Sequence, residues 1–336
     1  MIPSTMQALE LGAYGGPLRL IERPVPSPGR GEVLVRIAAA AVNPSDLKFI
    51  RGAYGLRKPL PVVPGFEGSG TVVAAGGGLR ARFMSGRRVA CLAPETKDGT
   101  WAEYMVAEAA KCIPLLKGVS LEQGATMVVN PWTATAHLER ARKGGHKAAV
   151  HTAAAGALGR MVLRLALRQG FPMVHLARFA GQVEELKSLG AENVLSLEDP
   201  DLDVHLKDLC HRLEATIAFD PIGGEMTGRV LAAMPKGSVA VVYGSLADAA
   251  CAIRPERFIY EGKRVEGFWL PRWVEKKSLL GRMRMAMGVQ KHLATDFRTP
   301  VRVRVALDGA VEAIAQYERD PDAGKALIVP GGPGSE

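Results

Sequence analysis

The feature that most limits the fold of this chain is a regular alternation of short apolar runs and helical stretches between residues 147 and 269. Apolar runs separated by helices are typical of a parallel sheet with helices on both faces. The predicted strands are Lys147–Thr152, Met173–Ala177, Asn193–Leu197, Ala215–Phe219, Ser238–Tyr243 and Val265–Trp269. The predicted helices are Ala157–Gln169, Gln182–Leu189, Val204–Leu213 and Met226–Ala233. We therefore predict an α/β fold with a doubly wound parallel sheet for this region.

The first 115 residues instead show short apolar alternations that are broken by Gly and Pro. Turn signals such as Pro64-Gly65 and Asp98-Gly99 favour an antiparallel, partly open barrel. The strands predicted here are Val33–Ala39, Gly70–Ala75, Arg88–Leu92 and Ala102–Val106. From about residue 271 the sequence predicts an amphipathic helical region, followed by the strand Val301–Val305, the helix Asp308–Glu318 and the strand Lys325–Val329.

The length of 336 residues also indicates two domains, because single hydrophobic cores rarely grow to this size. We predict a β-rich substrate domain formed by residues 1–124 and 271–336, and a nucleotide domain formed by residues 125–270.

The chain carries 43 Lys and Arg against 34 Asp and Glu, a net charge of +9, which favours anionic partners such as a phosphorylated cofactor or an acyl-CoA. Basic and aromatic residues are not interleaved, which disfavours nucleic-acid binding. No apolar run reaches the roughly 20 residues that span a membrane, and the start lacks a signal-peptide pattern, so we expect a cytoplasmic protein. The four cysteines, which lack metal-ligand spacing, are expected to be reduced and inert: Cys91, Cys112, Cys210 and Cys251.

A glycine-containing turn, Ala153–Gly159, joins the first strand of the predicted parallel sheet to its helix. Gly156 lets the backbone approach a pyrophosphate, and Gly159 lets the helix pack closely on the strand. The free amides of the helix start, which includes Ala157 and Leu158, favour an anion. An alanine replaces the usual first glycine, so an ordinary strand–helix turn is the alternative.

The second strand ends at Arg178, where sites that prefer NADH place Asp or Glu. An arginine at this position pairs with the 2′-phosphate of NADPH, which makes NADPH the predicted cofactor. The alternative is a surface arginine at a strand end. We also expect Tyr243 and Gly244 to contact the cofactor.

Several further stretches resemble the medium-chain dehydrogenase/reductase superfamily over nearly the whole chain. They are Val42–Asp46, Pro64–Gly70, Gly99–Tyr104, Leu189–Ala191 and Gly324-Lys325. The resemblance implies a GroES-like catalytic domain and a Rossmann-type NADPH-binding domain. Zinc-dependent members carry a cysteine where this chain has Asn43 and a histidine where it has Phe66, and the four-cysteine zinc lobe is missing after Ala93. Since Phe offers no ligand atom, the chain resembles the zinc-independent branch, and we expect no metal.

Within that branch the chain resembles 2-enoyl thioester reductases and, over the nucleotide domain, quinone oxidoreductases. The matching pieces are Asn43–Asp46, Gly52–Gly55, Val129–Ala134 and Glu266–Trp273. The resemblance implies that Tyr54 is the catalytic residue and that Gly267–Leu270 forms the sheet edge used in dimerisation, next to the cofactor. Because an exposed apolar edge strand invites pairing, we predict a homodimer in which Val265–Trp269 pairs with its two-fold mate. The further residues expected at the cofactor are Asn130, Thr133, Phe268, Trp269 and Lys325.

The predicted reaction is the NADPH-dependent reduction of an activated C=C bond in a small-molecule substrate, an enoyl thioester or an enone, by a homodimer. The Tyr54 phenol would donate to the enolate oxygen or protonate the α-carbon, unless it only packs. Asn43 either orients the substrate or a water, or caps its own loop. Asp46 and Glu67 are expected to hold loops beside the site. The alternatives are a quinone reductase and an NADPH-binding protein with a structural or regulatory role. Three histidines are expected to be structural or on the surface: His137, His146 and His151.

Overall fold

The structure is a computed structural model that describes residues 1–319 and 324–332. The chain divides into two compact units. Unit 1 is formed by residues 1–129 and the described residues from 286 onward, and unit 2 by residues 130–285. The domain borders predicted at 124/125 and 270/271 stay predictions. Within the described ranges, no helix is long and apolar enough to cross a membrane.

The elements up to residue 143 are β1 (Thr5–Leu11), β2 (Leu18–Pro24), β3 (Glu32–Ala41), α1 (Pro44–Ile50), β4 (Glu67–Ala75), α2 (Leu79–Met84), β5 (Arg88–Leu92), β6 (Tyr104–Glu108), β7 (Ile113–Pro114), α3 (Leu121–Ala125) and α4 (Val129–Lys143). Those up to residue 233 are β8 (Ala148–His151), α5 (Ala157–Arg168), β9 (Met173–Ala177), α6 (Ala180–Ser188), β10 (Asn193–Ser196), α7 (Leu202–Arg212), β11 (Ala215–Asp220) and α8 (Gly224–Ala233). The remaining ones are β12 (Val239–Val242), α9 (Glu256–Ile259), β13 (Arg264–Gly267), α10 (Leu270–Glu275), α11 (Leu279–Lys291), β14 (Val301–Val305), α12 (Ala310–Arg319) and β15 (Lys325–Ile328).

Unit 1 contains a seven-stranded sheet in the order β14-β15-β3-β4-β5-β7, with β6 paired to β3. The pairs β3–β4, β3–β6 and β4–β5 are antiparallel, as predicted. The pair β15–β3 is also antiparallel, whereas β14 and β15 are parallel. The strand predicted at Ala102–Val106 begins two residues later, as β6. The hairpin of β1 and β2 was not predicted, because no residue of β2 is fully buried and its apolar residues do not alternate strictly.

The sheet of unit 2 has six strands in the order β10-β9-β8-β11-β12-β13, and all neighbouring strands are parallel. This is the strand order of dinucleotide-binding Rossmann domains, and it reverses between β8 and β11. All six predicted strands are confirmed to within two residues at each end. Helix α4 was not predicted, because it is buried on several sides and shows no single apolar stripe. The carboxyl ends of β8, β9, β11, β12 and β13 meet at one edge of the sheet.

The pairing of β3 with β4 depends on a glycine at a register irregularity. Gly70 lies opposite Ile37, where the register shifts, and a Cβ added at Gly70 would lie 1.9 Å from the carbonyl oxygen of Arg36. No real Cβ comes this close to a backbone atom, so the two strands approach each other only because residue 70 has no side chain.

We therefore expect Gly70→Ala to push β3 and β4 apart and to lower the free energy of unfolding by about 1–3 kcal/mol, the usual cost of overpacking. Urea unfolding followed by circular dichroism measures this loss. Gly12→Ala is the matched control, because a Cβ at Gly12 meets no atom within 4 Å. Equal stability of the two variants would contradict the account.

Candidate functional site

The start of α1 is held by a buried carboxylate. One oxygen of Asp46, Oδ2, accepts a hydrogen bond from the backbone N–H of Asn43 at 2.8 Å, and the other, Oδ1, accepts one from the backbone N–H of Phe66 at 2.9 Å. Asp46 is completely buried. It therefore fixes the N-terminus of α1 against the segment that leads into β4, which agrees with the loop-holding role expected for it.

The side chain of Asn43 uses both ends of its amide inside unit 1. Its Nδ2 donates to Glu67 Oε1 at 3.0 Å, and its Oδ1 accepts from the ammonium of Lys325. The other carboxylate oxygen of Glu67, Oε2, accepts from the backbone N–H groups of Val128 at 3.2 Å and Val129 at 3.0 Å. These contacts favour the loop-holding role of Asn43, and its role in orienting a substrate or a water stays a prediction.

Burial sets the protonation behaviour of this cluster. It raises the pKa of Asp46 to about 7, against the lowering effect of the Asn43 N–H and the Lys325 ammonium. Burial likewise raises the pKa of Glu67 and lowers that of Lys325, while the attraction between these two charges opposes both shifts. The Lys325 ammonium donates its hydrogen bond to Asn43 within unit 1. The predicted contact of Lys325 with the cofactor stays a prediction.

Tyr54 lies in the loop after α1 and is half-buried. Its ring packs on that of Phe66, with 5.0 Å between the centroids, and Phe66 in turn makes an edge contact with Phe49 at 5.5 Å. Gly52 has φ of 72°, a backbone conformation that side chains disfavour, so it allows the turn that brings Tyr54 back onto Phe66. Tyr54 therefore packs against Phe66, which stands where zinc-dependent members of the superfamily that the sequence resembles carry a histidine.

Sequence reasoning missed Lys58, whose ammonium group lies over the rings of Phe49 and Phe66. Its side chain is 5% exposed, its Nζ donates to the carbonyl of Lys97 at 2.8 Å, and it lies 5.9 Å from the centroid of the Phe66 ring. Burial lowers its pKa to about 8. In the sequence, a lysine beside Arg57 and Pro59 resembles an ordinary surface loop, so no local signal marks it.

In unit 2 the predicted dinucleotide turn connects β8 to α5. Gly156 is the N-cap of α5, and no side chain of the described residues caps this helix start. The amides of Ala157, Leu158 and Gly159 belong to its first turn, where backbone N–H groups lack helical partners. A Cβ at Gly159 would lie 2.2 Å from the carbonyl oxygen of Ala154, so only glycine allows this close packing. The turn therefore fits a pyrophosphate.

Other predicted cofactor residues follow the carboxyl ends of neighbouring strands. Arg178 is the first residue after β9 and is exposed, and its backbone N–H donates to Gln182 Oε1 at 2.9 Å. Tyr243 and Gly244 follow β12, and a Cβ at Gly244 would lie 2.6 Å from the carbonyl oxygen of Pro221. The structure thus brings the Gly156–Gly159 turn, Arg178 and the end of β12 to one edge of the sheet.

The rest of the predicted residues of unit 2 lie on α4 and after β13. Asn130 and Thr133 lie near the start of α4, where Thr133 is buried and Asn130 half-buried. Phe268 follows β13 and donates its backbone N–H to Val242 at 2.8 Å. Trp269 is the N-cap of α10. The structure places Asn43, Tyr54 and Lys325, by contrast, in unit 1.

A cluster of buried and half-buried rings, which sequence reasoning missed as a group, lies behind this edge. The ring of His137, on α4, stacks on Phe219 at 4.3 Å and lies 4.5 Å from the ring of Tyr243. The Tyr243 hydroxyl lies 3.1 Å from Nε2 of His151. Burial lowers the pKa of His151 to about 3 and that of His137 well below its usual range, so both rings are neutral. The half-buried His146 instead pairs with Thr216, with 2.7 Å between its Nδ1 and the threonine hydroxyl.

Asp220, at the end of β11, is a second buried group that the sequence did not reveal. It accepts hydrogen bonds from the hydroxyls of Thr152 and Thr227, both at 2.6 Å, and from the backbone N–H of Gly223 at 3.2 Å. Its carboxylate thus fixes the loops that follow β8 and β11, where the strand order reverses. Among residues 1–319 and 324–332, no three His, Cys, Asp or Glu side chains come together as a metal site.

Comparison with known proteins agrees with this architecture. Residues 29–117 match the family described as Alcohol dehydrogenase GroES-like domain, and residues 157–284 match Zinc-binding dehydrogenase. The chain is 33% identical to the mitochondrial enoyl-[acyl-carrier-protein] reductase of Arabidopsis thaliana over 272 residues, which cover 79% of this chain and 71% of that protein. It is 30% identical to the Bos taurus enzyme of the same name, over 82% of this chain and 75% of that protein.

Among solved structures, a candidate NADPH:quinone reductase of Mesorhizobium loti matches with a TM-score of 0.91 and 35% identity, covering 98% of this chain and all of the other. The quinone oxidoreductase of Thermus thermophilus, also known in complex with NADPH, matches with a TM-score of 0.77 and 27% identity, covering 96% of this chain and all of the other. The chain is therefore an oxidoreductase that belongs to the medium-chain dehydrogenase/reductase superfamily, in the zinc-independent branch that includes enoyl reductases and quinone reductases.

Proposed function

We propose that this enzyme reduces an activated C=C bond, in a 2-enoyl thioester or an enone, with NADPH. The observation that carries the proposal is the packing of the Tyr54 phenol on the ring of Phe66. Zinc-dependent relatives hold a metal ligand at the position of Phe66. Two relatives of at least 30% identity are enoyl-[acyl-carrier-protein] reductases, which supports this substrate class.

Bound NADPH would supply hydride-transfer chemistry at the β-carbon of the substrate, so that negative charge would develop on the carbonyl oxygen. A neutral hydrogen-bond donor stabilises that charge where no metal acts as a Lewis acid. We propose that the hydroxyl of Tyr54 donates this hydrogen bond or delivers the proton to the α-carbon. The buried network of Asn43, Asp46 and Glu67 would hold the start of α1, and thereby the loop that carries Tyr54.

The preference for NADPH over NADH is part of the proposal. Arg178 is exposed at the carboxyl end of β9, where a guanidinium can form a bidentate pair with a 2′-phosphate. The Thermus thermophilus relative is known in complex with NADPH, which supports the same cofactor here.

Quinone reduction is the second candidate, because the Mesorhizobium loti relative matches nearly the whole chain at 35% identity. Steady NADPH oxidation with a crotonyl thioester supports the main proposal, and oxidation with a quinone alone supports this second one. The cytoplasmic location stays a prediction, since the enoyl reductase relatives are named as mitochondrial.

A homodimer is also proposed, with β13 as the contact. This strand ends the sheet of unit 2, and no described strand pairs with its outer side. The backbone N–H groups of Arg264 and Phe268 bond to Ser238 and Val242, so the N–H of Val265 points away from the sheet. An outer edge of this kind invites pairing with a second copy, and two-fold dimers are the commonest result.

The Tyr54 hydroxyl is tested with Tyr54→Phe. We expect kcat with a crotonyl thioester to fall about 10²–10³-fold, the usual cost of one such donor, while the Kd for NADPH changes little. Tyr260→Phe is the control, because Tyr260 is 73% exposed. Full kcat of Tyr54→Phe would remove Tyr54 from the mechanism and favour quinone reduction, which needs no proton at carbon.

Cofactor choice is tested with Arg178→Asp. We expect the unmodified enzyme to bind NADPH more tightly than NADH, and the variant to lose or reverse this preference, since a carboxylate repels the 2′-phosphate. Arg254→Asp makes the same change of charge at an exposed position and should leave the preference unchanged. Equal affinities for both cofactors in the unmodified enzyme would refute the proposal.

The dimer is tested with Val265→Pro, which removes an outward N–H without breaking a ladder bond to β12. Light scattering at micromolar concentration should give a dimer for the unmodified enzyme and a folded monomer for the variant. A monomeric unmodified enzyme would rule out this contact.

A further inference from the structure

The hydrogen bond between Tyr243 and His151 connects two strand ends across the middle of the sheet. His151 is the last residue of β8 and lies opposite Phe219 of β11, which in turn lies opposite Val241 of β12. Tyr243 is two residues beyond Val241, so its side chain lies on the same face of the sheet. The 3.1 Å contact between Tyr243 Oη and His151 Nε2 is therefore made at the carboxyl edge, beside the turn that fits a pyrophosphate.

The chemistry of His151 decides the direction of this hydrogen bond. His151 is fully buried, and its Nδ1 has no hydrogen-bond partner among the described residues. If the proton of the neutral ring were on Nδ1, a buried N–H would stay unsatisfied, which costs about 1–3 kcal/mol. With the proton on Nε2, the ring donates to Tyr243 and only an acceptor lone pair stays unused. The Nε2–H tautomer is therefore favoured.

In that arrangement the oxygen of Tyr243 is the acceptor, and its own hydrogen is available for another bond. Within the described part of the chain, His151 is the one hydrogen-bond partner that the structure records for this hydroxyl. Tyr243 is half-buried, and a hydroxyl that is partly shielded from water favours having an acceptor. Burial raises the pKa of Tyr243 well above its usual range, so the phenol keeps its hydrogen.

Packing restricts the movement of the Tyr243 ring. The ring of His137 lies 4.5 Å from that of Tyr243 and is itself stacked on Phe219 and in edge contact with Phe268 at 5.2 Å. Rings confined in this way lose few further degrees of freedom when a ligand binds, which makes a fixed donor more effective than a mobile one.

We propose that His151 is a positioning residue, which holds Tyr243 as an acceptor so that the phenol donates its hydrogen to an amide or hydroxyl oxygen of the bound nicotinamide cofactor. This inference rests on the proposed function, because it takes a nicotinamide dinucleotide as the ligand. It assigns to the chain a neutral donor at the end of β12, in addition to the amides at the start of α5.

The test measures the Kd for NADPH by fluorescence titration. Tyr243→Phe should weaken binding about 3- to 10-fold, the effect of one hydrogen bond, and should also lower Tm, because the buried Nε2–H of His151 loses its acceptor. His151→Leu should also weaken binding, and the double variant should bind no more weakly than Tyr243→Phe alone. His151→Gln, which keeps an N–H donor, should restore most of the affinity. Tyr260→Phe is the control for loss of an exposed hydroxyl.

A second measurement does not depend on the cofactor. Nitrogen-15 spectra of histidine-labelled enzyme should show His151 with a protonated Nε2 and an unprotonated Nδ1, the signals being assigned by their loss in His151→Gln. A protonated Nδ1 overturns the inference, as does unchanged NADPH affinity of a folded Tyr243→Phe. If Tyr243→Phe unfolds, equal affinities of His151→Leu and the unmodified enzyme overturn it instead. Failure of the unmodified enzyme to bind NADPH is a different result, which refutes the proposed function itself.

Discussion

The carboxylate of Glu67 is the group on which the arrangement of unit 1 depends, because separate stretches of the chain meet at it. It lies at the start of β4, accepts hydrogen bonds from Asn43 at the start of α1 and from the backbone at the start of α4, and attracts the ammonium of Lys325 in β15. A buried carboxylate is tolerated only when it is paired and hydrogen-bonded, and removal of one partner typically costs about 3–5 kcal/mol. Because this cluster holds α1, it also determines the position of the loop after α1, which carries Tyr54.

The parts of the fold that were predictable from the sequence are those that depend on local patterns. The six strands of unit 2 are short apolar runs bounded by helices, and this pattern can be recognised in the sequence without any knowledge of tertiary contacts. The reason for glycine at Gly159 was also predictable, since a strand–helix turn of this type requires close packing, and a Cβ at this position would lie only 2.2 Å from the carbonyl oxygen of Ala154. Helix α4 was missed because Trp132 and His137 are buried on different sides of it, which removes the periodic signal.

The contacts that were not predictable join residues far apart in the chain. Asn43 forms a hydrogen bond with Lys325, which lies 282 positions later in the sequence, and His151 forms one with Tyr243, which lies 92 positions later. A histidine at the end of a strand is usually satisfied by nearby groups or by water, so its neutral, buried state is visible only once β8, β11 and β12 are paired. Lys58 is similar: its lowered pKa results from burial by distant residues, and nothing in its own segment indicates it.

The replacement of metal ligands by Asn43 and Phe66 also limits the substrates that such a site can reduce. Both residues hold neighbouring parts of unit 1 in place. The amide of Asn43 forms hydrogen bonds through its nitrogen and its oxygen, and the ring of Phe66 packs on Tyr54. A metal ion polarises an ordinary carbonyl strongly, whereas a phenol supplies a single neutral hydrogen bond. Under the proposed function, the missing activation must therefore come from the substrate. An enoyl thioester, an enone and a quinone share a conjugated electrophilic carbon that accepts hydride with weaker assistance, and they spread the resulting charge over a conjugated oxygen. An unconjugated ketone or aldehyde has neither property, which gives a physical reason why the enoyl reductases and the quinone reductases lie together in the zinc-independent branch.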